Sequence, residues 1–156
     1  MTDHRPRAAR LLRRTAQAAL VLSLLAACAE KPVVAVPQVA IQAEERANDF
    51  SPVAVDVVLV RDQKLVEELL KLSAAEWFEK REQYLRDYPV TLSAHSWEVV
   101  PGQTLSQPLP REPAAWAAIV YANYGKGGPH RLRVGTPGEL KIRLGEAGPA
   151  LAEAAP

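Results

Sequence analysis

Val53-Ala54-Val55-Asp56-Val57-Val58-Leu59-Val60-Arg61 is the stretch from which the fold of this 156-residue chain can be read. Side chains alternate across a strand, so Val53, Val55, Val57 and Leu59 share one face, and Ala54, Asp56, Val58 and Val60 the other. Both faces are nearly continuous in apolar residues, which predicts a central strand covered on two sides. Asp56 is the exception. A carboxylate in that setting is either a catalytic acid held in a dry place or, more simply, an edge or rim group bound to a hydroxyl or a cation.

Downstream, the period changes. Asp62 can cap a helix in which Leu65, Leu69 and Leu72 recur on one side. Ser73-Ala74-Ala75-Glu76 matches a capping box, with Leu72 and Trp77 at the positions of a hydrophobic staple. A second helix from there places Trp77, Arg81, Tyr84 and Tyr88 on one face, with Phe78 and Leu85 beside it, until Pro89 stops it. An aromatic face of this kind serves either as a partner site or, more commonly, as the surface by which helices dock on a sheet. The helical insertion is expected over 62–88.

Beyond it the period returns to two. Ser96 to Val100 reads as a strand, Pro101-Gly102 as a tight turn, and Thr104 to Leu109 as the antiparallel partner of the strand before the turn. Ala114 to Tyr124 is a second buried strand, whose alanines imply a close neighbour. His130 to Val134 and Glu139 to Leu144 complete the pattern. Upstream, Val39 to Gln42 is a first strand, and Glu44-Glu45-Arg46-Ala47-Asn48-Asp49 is a charged loop with Phe50 at its exit. About seven short strands with one helical interruption predict a mainly β, two-sheet β-sandwich over residues 38–144. The segment 145–156, made of Ala, Gly, Pro and Glu with one Leu, is expected to be a disordered tail.

The N-terminal region has a different logic. Arg5, Arg7, Arg10, Arg13 and Arg14 precede an apolar run from Ala18 to Leu25, and Leu25-Ala26-Ala27 leads into Cys28, the only cysteine of the chain. A positive region, a short apolar core and small residues make a signal peptide. The core falls short of the roughly 20 residues a membrane-spanning helix needs. The Leu-Ala-Ala-Cys order resembles a bacterial lipoprotein processing site, which implies a signal over 1–27, a lipid covalently attached at Cys28 and a tether over 28–37. Ala29 after the cysteine resembles the outer-membrane sorting signal of enterobacterial lipoproteins.

Charge and composition exclude several functions. The five arginines and Asp3 lie within the first 27 residues, leaving 14 Lys+Arg against 17 Asp+Glu downstream. A basic nucleic-acid surface is not expected from that balance. His95 and His130 lack partners at metal-ligand spacing, so no metal site is expected. Ser93, His95 and Ser96 are close in sequence, but no GxSxG elbow occurs. Gly125-Lys126-Gly127-Gly128 lacks the spacing of a phosphate loop. No catalytic residues, no cofactor and no small-molecule substrate are expected: the chain reads as a binding or structural protein. The alternative is a periplasmic enzyme or small-ligand-binding lipoprotein on the same sandwich, which would carry an apolar pocket with convergent polar groups.

The order of features resembles one family. Asn48 to Arg61, containing Ser51-Pro52-Val53, and Glu98-Val99-Val100-Pro101-Gly102-Gln103 are similar to motifs of the type VI secretion outer-membrane lipoproteins, the TssJ (VasD/SciN-like) family. The chain departs from that pattern at Leu59-Val60 and at Tyr124-Gly125-Lys126. The resemblance implies a transthyretin-like sandwich, anchored by its lipid in the outer membrane and facing the periplasm. It further implies that the chain binds the periplasmic C-terminal domain of the inner-membrane protein TssM through the loop between the first two strands. Here those residues are Glu44, Glu45, Arg46, Ala47, Asn48, Asp49 and Phe50.

Overall fold

The computed structural model describes residues 31–152. The expected signal over 1–27 and the lipidation site Cys28 lie outside the described residues. From Pro32 onward the chain forms one compact body.

Two four-stranded sheets face each other. One contains β1 (Gln38–Ala43), β4 (Thr104–Pro108), β7 (Leu140–Leu144) and β8 (Pro149–Leu151), in the order β4-β1-β7-β8. The other contains β2 (Val53–Val60), β3 (Leu92–Val99), β5 (Ala117–Asn123) and β6 (Arg131–Val134), in the order β3-β2-β5-β6. All pairings are antiparallel except β1 with β7. The chain is therefore a mainly β two-sheet sandwich, as its periodicity predicts.

β2 is the centre of its sheet, and its apolar run is explained by what covers it. Val53, Val55, Val57 and Leu59 pack into the space between the sheets with Val39, Ile41, Ile142, Leu144, Ala118 and Ala122. Val58 and Val60 lie on the other face, under the helices. The two alanines of β5 keep the sheets close at that point, and the larger Val and Ile side chains opposite fill the gap.

The helices are α1 (Gln63–Leu69) and α2 (Ala74–Asp87). Each begins where the sequence places its cap. The Asp62 carboxylate accepts from the Leu65 amide at 2.9 Å. The Ser73 amide donates to Glu76 Oε2 at 2.8 Å, and the Glu76 amide donates back to Ser73 Oγ at 3.3 Å. Leu65, Val66, Leu69 and Trp77 are buried on the sheet, so the aromatic face is a docking surface. The Trp77 ring stacks on Tyr121 of β5 with centroids 5.0 Å apart.

Four expectations are corrected. β4 pairs with β1 in the opposite sheet and not with β3. The turn at Pro101-Gly102, with Gly102 at φ 79, hands the chain across: the Gly102 amide bonds Glu44 O, and Gln103 O accepts from the Ala43 amide. Trp97 and Val99 of β3 and Leu105 of β4 approach the same core from opposite sides, which a hairpin within one sheet would not allow. β3 starts at Leu92, earlier than Ser96.

The tether expected over 28–37 is not free along its length. Val34 and Val36 are buried, and Val34 exchanges both backbone hydrogen bonds with Ala115, at 3.0 and 2.8 Å. Two prolines mark this segment as a spacer in the sequence, yet its valines alternate like a strand and seal the end of the core. The tail expected over 145–156 is also ordered in part, because Pro149–Leu151 pairs with β7 and covers an edge that would otherwise stay open.

Candidate functional site

β1 leaves its sheet at Ala43, and residues 44–52 carry the chain to the other sheet. The Glu44 amide is fixed by Leu144 O at 2.9 Å and the Ala47 amide by Glu44 O at 3.0 Å. A short 3-10 turn follows over Ala47–Phe50. Ala47 is fully buried and anchors the loop in the core. Asn48 locks it sideways: its side-chain oxygen accepts from the Gly125 amide at 2.7 Å, and its amide nitrogen donates to Pro52 O at 3.0 Å.

Asn48, Asp49 and Phe50 have φ of 47°, 55° and 61°. Asn and Asp tolerate the left-handed region, but a bulky aromatic there is a steric outlier. Phe50 is 65% exposed. The Arg46 guanidinium lies 5.8 Å from its centroid and reaches Glu146 at 3.3 Å. Glu44 Oε1 accepts from Arg143 at 2.9 Å. The loop thus presents a rigid aromatic among charged neighbours, the composition of an anchor with a polar rim.

Of the residues expected to contact a partner, Glu45, Arg46, Asp49 and Phe50 are exposed and Glu44 and Asn48 half-buried, whereas Ala47 is buried and unavailable. The sequence did not show which segments stand beside them: Val100–Gln103, Gly125 and Gly145–Glu146 all meet this loop. Tyr124 ties two of these segments together, its hydroxyl donating to Gly145 O at 2.9 Å. Burial, helped by the negative charge of Glu44, pushes this phenol up to about 12, so it stays a neutral donor.

Two polar clusters lie elsewhere. Asp56, 1% exposed, does not sit at a rim. It accepts from Trp77 Nε1 at 2.8 Å and pairs with Arg81 at 3.2 Å, which makes it the bond between sheet and helix α2. A carboxylate spent on an indole and a guanidinium has no free role as an acid.

The second cluster gathers around Glu112, in the strap between β4 and β5. Glu112 accepts from Arg61, from the Ser93 hydroxyl and from His95 Nε2, the last at 2.9 Å. Burial raises its affinity for a proton, but the hydrogen bonds from Ser93, His95 and Arg61 outweigh it and hold the carboxyl below its usual value. Ser93 and His95 are half-buried because they face the inner side of β3, where the strap closes over them. A nucleophilic triad needs the imidazole between hydroxyl and carboxylate. Here the carboxylate is in the middle, so the hydroxyl has no base.

Beside this cluster, Val34–Pro37, Leu59 and Leu109–Pro113 line a groove of about 350 Å³. No group of three potential metal ligands occurs among the described residues.

No protein-family model matches the chain. No curated protein matches it either. Likeness is found among solved structures. The chain is similar to Serratia marcescens Lip, a membrane-bound component of the type VI secretion system, at a TM-score of 0.56 and 15% identity, covering 74% of this chain and 96% of that one. It is similar to the type VI secretion lipoprotein TssJ1 from Pseudomonas aeruginosa at a TM-score of 0.58 and 15% identity, covering 78% and 100%. A chain of the structure of the type VI secretion protein TssM C-terminal domain from EAEC gives a TM-score of 0.57 and 16% identity, covering 76% and 98%. At these identities the shared property is the fold, and over nearly the whole length of Lip and TssJ1 this chain has the β-sandwich of type VI secretion lipoproteins.

Proposed function

We propose that the protein is a structural lipoprotein of the type VI secretion membrane complex. In this reading Cys28 carries the lipid, the lipid holds the protein in the outer membrane facing the periplasm, and the sandwich grips the periplasmic C-terminal domain of TssM. The observation that carries the proposal is the complete coverage of TssJ1 by this fold, joined to a sequence that places Leu25-Ala26-Ala27-Cys28 ahead of the domain. The role is one of attachment, without catalysis, cofactor or nucleic acid.

The TssM contact is assigned to the exposed residues of the β1–β2 loop, with Phe50 as anchor. Backbone strain at an exposed aromatic is most simply maintained for binding, since it adds nothing to the core. Replacing Glu45, Arg46, Asp49 and Phe50 by Gly and Ser while keeping Ala47 and Asn48 preserves the loop's own supports. Co-purification with the TssM periplasmic domain should then be lost. Undiminished co-purification would remove this loop as the contact.

The competing reading, a ligand-binding or enzymatic lipoprotein, would use the groove beside Glu112. Its polar group is already occupied by three donors. The attachment role is therefore preferred.

A further inference from the structure

Among the described residues, four that are not glycine have positive φ: Asn48, Asp49, Phe50 and His130. The first three shape the loop between β1 and β2. His130, at φ 39°, lies far along the chain, immediately before β6. A left-handed backbone is costly for a residue with a Cβ and persists where its surroundings impose it.

The His130 backbone is fixed to the sheet. Its carbonyl accepts from the Ala122 amide of β5 at 3.0 Å, and the carbonyl of Pro129 accepts from the Ala74 amide of α2 at 2.9 Å. From that base the side chain turns back over residues 125–129. Its ring stacks on Tyr124, with centroids 4.8 Å apart and planes 22° apart. Its Nε2 lies 2.8 Å from Lys126 O, and because a carbonyl only accepts, Nε2 carries the hydrogen in this contact. His130 thus holds the residue before Gly125 and the residue after it. Gly125 is the residue whose amide donates to Asn48 Oδ1 at 2.7 Å, the lateral lock of the β1–β2 loop.

Two glycines leave the ring its room. A Cβ at Gly128 would stand 2.7 Å from Nε2, and one at Gly148 would stand 3.1 Å from Nδ1. Gly148 belongs to the turn between β7 and β8, where its carbonyl accepts from the Gly145 amide at 3.0 Å. The ring is therefore enclosed by Tyr124, the 125–128 loop and the 145–148 turn. Core packing does not call for this fit, since His130 is half-buried and belongs to neither apolar cluster.

We infer that His130 is a positioning residue for the β1–β2 loop. Its ring and its Nε2–H clamp Tyr124 and Lys126, so that the Gly125 amide stands where it fixes Asn48 and, with Asn48, the left-handed run that ends at Phe50. The use of this rigidity in binding rests on the proposed TssM contact: an anchor held in place beforehand loses less freedom on binding than one on a loose loop.

His130→Asn tests this, because asparagine accepts the left-handed backbone but removes the stacking ring and shortens the reach to Lys126 O. In the full-length protein, amide hydrogen exchange read by mass spectrometry should rise several-fold over residues 44–52, while β2 and β5 keep the protection of the parent. In a titration with the TssM periplasmic domain the variant should bind about fivefold more weakly, the scale of one hydrogen bond. The same change made in Phe50→Gly should cost little more, since the anchor it positions is gone. Unchanged exchange over 44–52 would overturn the clamp. Protection lost in β2 and β5 as well would make His130 a support of the whole fold and overturn its specific role. Raised exchange over 44–52 with the parent's affinity would overturn its use in binding, and an undiminished further loss in Phe50→Gly would make His130 a contact and not a positioning residue. If Phe50→Gly itself binds TssM as the parent does, the contact reading falls, and exchange over 44–52 still decides whether His130 sets the loop.

Discussion

Phe50 combines a left-handed backbone, at φ 61°, with a ring mostly in water, so its conformational cost is not offset by packing. For a residue with a Cβ that cost is about 1–2 kcal/mol, and glycine is free of it although glycine loses more entropy on folding. Phe50→Gly is therefore expected to raise stability by about 1 kcal/mol in urea denaturation. The same change should weaken TssM binding by tenfold or more in a titration, the scale of an aromatic anchor. A variant more stable and equally good at binding would mean that the strain serves something else. Glu112 gives the opposite case. Glu112→Gln should cost about 1–3 kcal/mol, because Arg61 and His95 lose a charged acceptor in a half-buried place. A carboxyl held below its ordinary value of 4.5 contributes its full stabilisation above that pH and loses it as pH falls through the lower, folded value. The difference between the two proteins should thus be constant at neutral pH and vanish in acid. Neither cluster could be read from the chain, since Glu112 lies 51 residues from Arg61 and Asp56 lies 21 from Trp77. Only the fold brings them together.

At the scale of elements, what is local is legible and what is a choice of neighbour is not. The two helix starts are encoded within four residues each, by Asp62 and by Ser73 with Glu76, and both form as written. Ser73→Ala should cost about 1 kcal/mol, measured as a lower thermal midpoint, because it leaves the Glu76 amide without its partner. β2 likewise announces itself as central through two apolar faces. The Pro101-Gly102 turn, by contrast, has the same residues whether it folds β4 back on β3 or passes it to β1. Deciding between them is the need to bury Trp97 and Val99 on one side of the core and Leu105 on the other. β8 escaped because its three residues, Pro149-Ala150-Leu151, carry no period long enough to detect. The pairing of Val34 and the burial of Val36 escaped because the prolines around them signal a linker more strongly than two valines signal burial. For the candidate site, the charged loop and its aromatic were visible, while the burial of Ala47 and the lateral lock of Asn48 on Gly125 depend on residues far along the chain.

For the whole molecule, the proposed role divides attachment between the lipid at Cys28 and the β1–β2 loop, and the division can be tested without disturbing the fold. No helix among the described residues is long and apolar enough to cross a membrane, so in the proposed role the hold on the outer membrane falls to the lipid at Cys28. One acyl chain gives only marginal, reversible binding, and stable anchoring takes more than one signal. Cys28→Ser should therefore leave the sandwich folded, with the urea midpoint of the parent, since the body begins at Pro32. It should also leave binding to the TssM periplasmic domain in solution unchanged, since the β1–β2 loop draws its support from Leu144, Gly125 and Pro52. What should be lost is fractionation with the outer membrane, and with it secretion. A Cys28→Ser protein that still supports secretion would show that the domain's own grip suffices, and would move the essential attachment from the lipid to the protein surface.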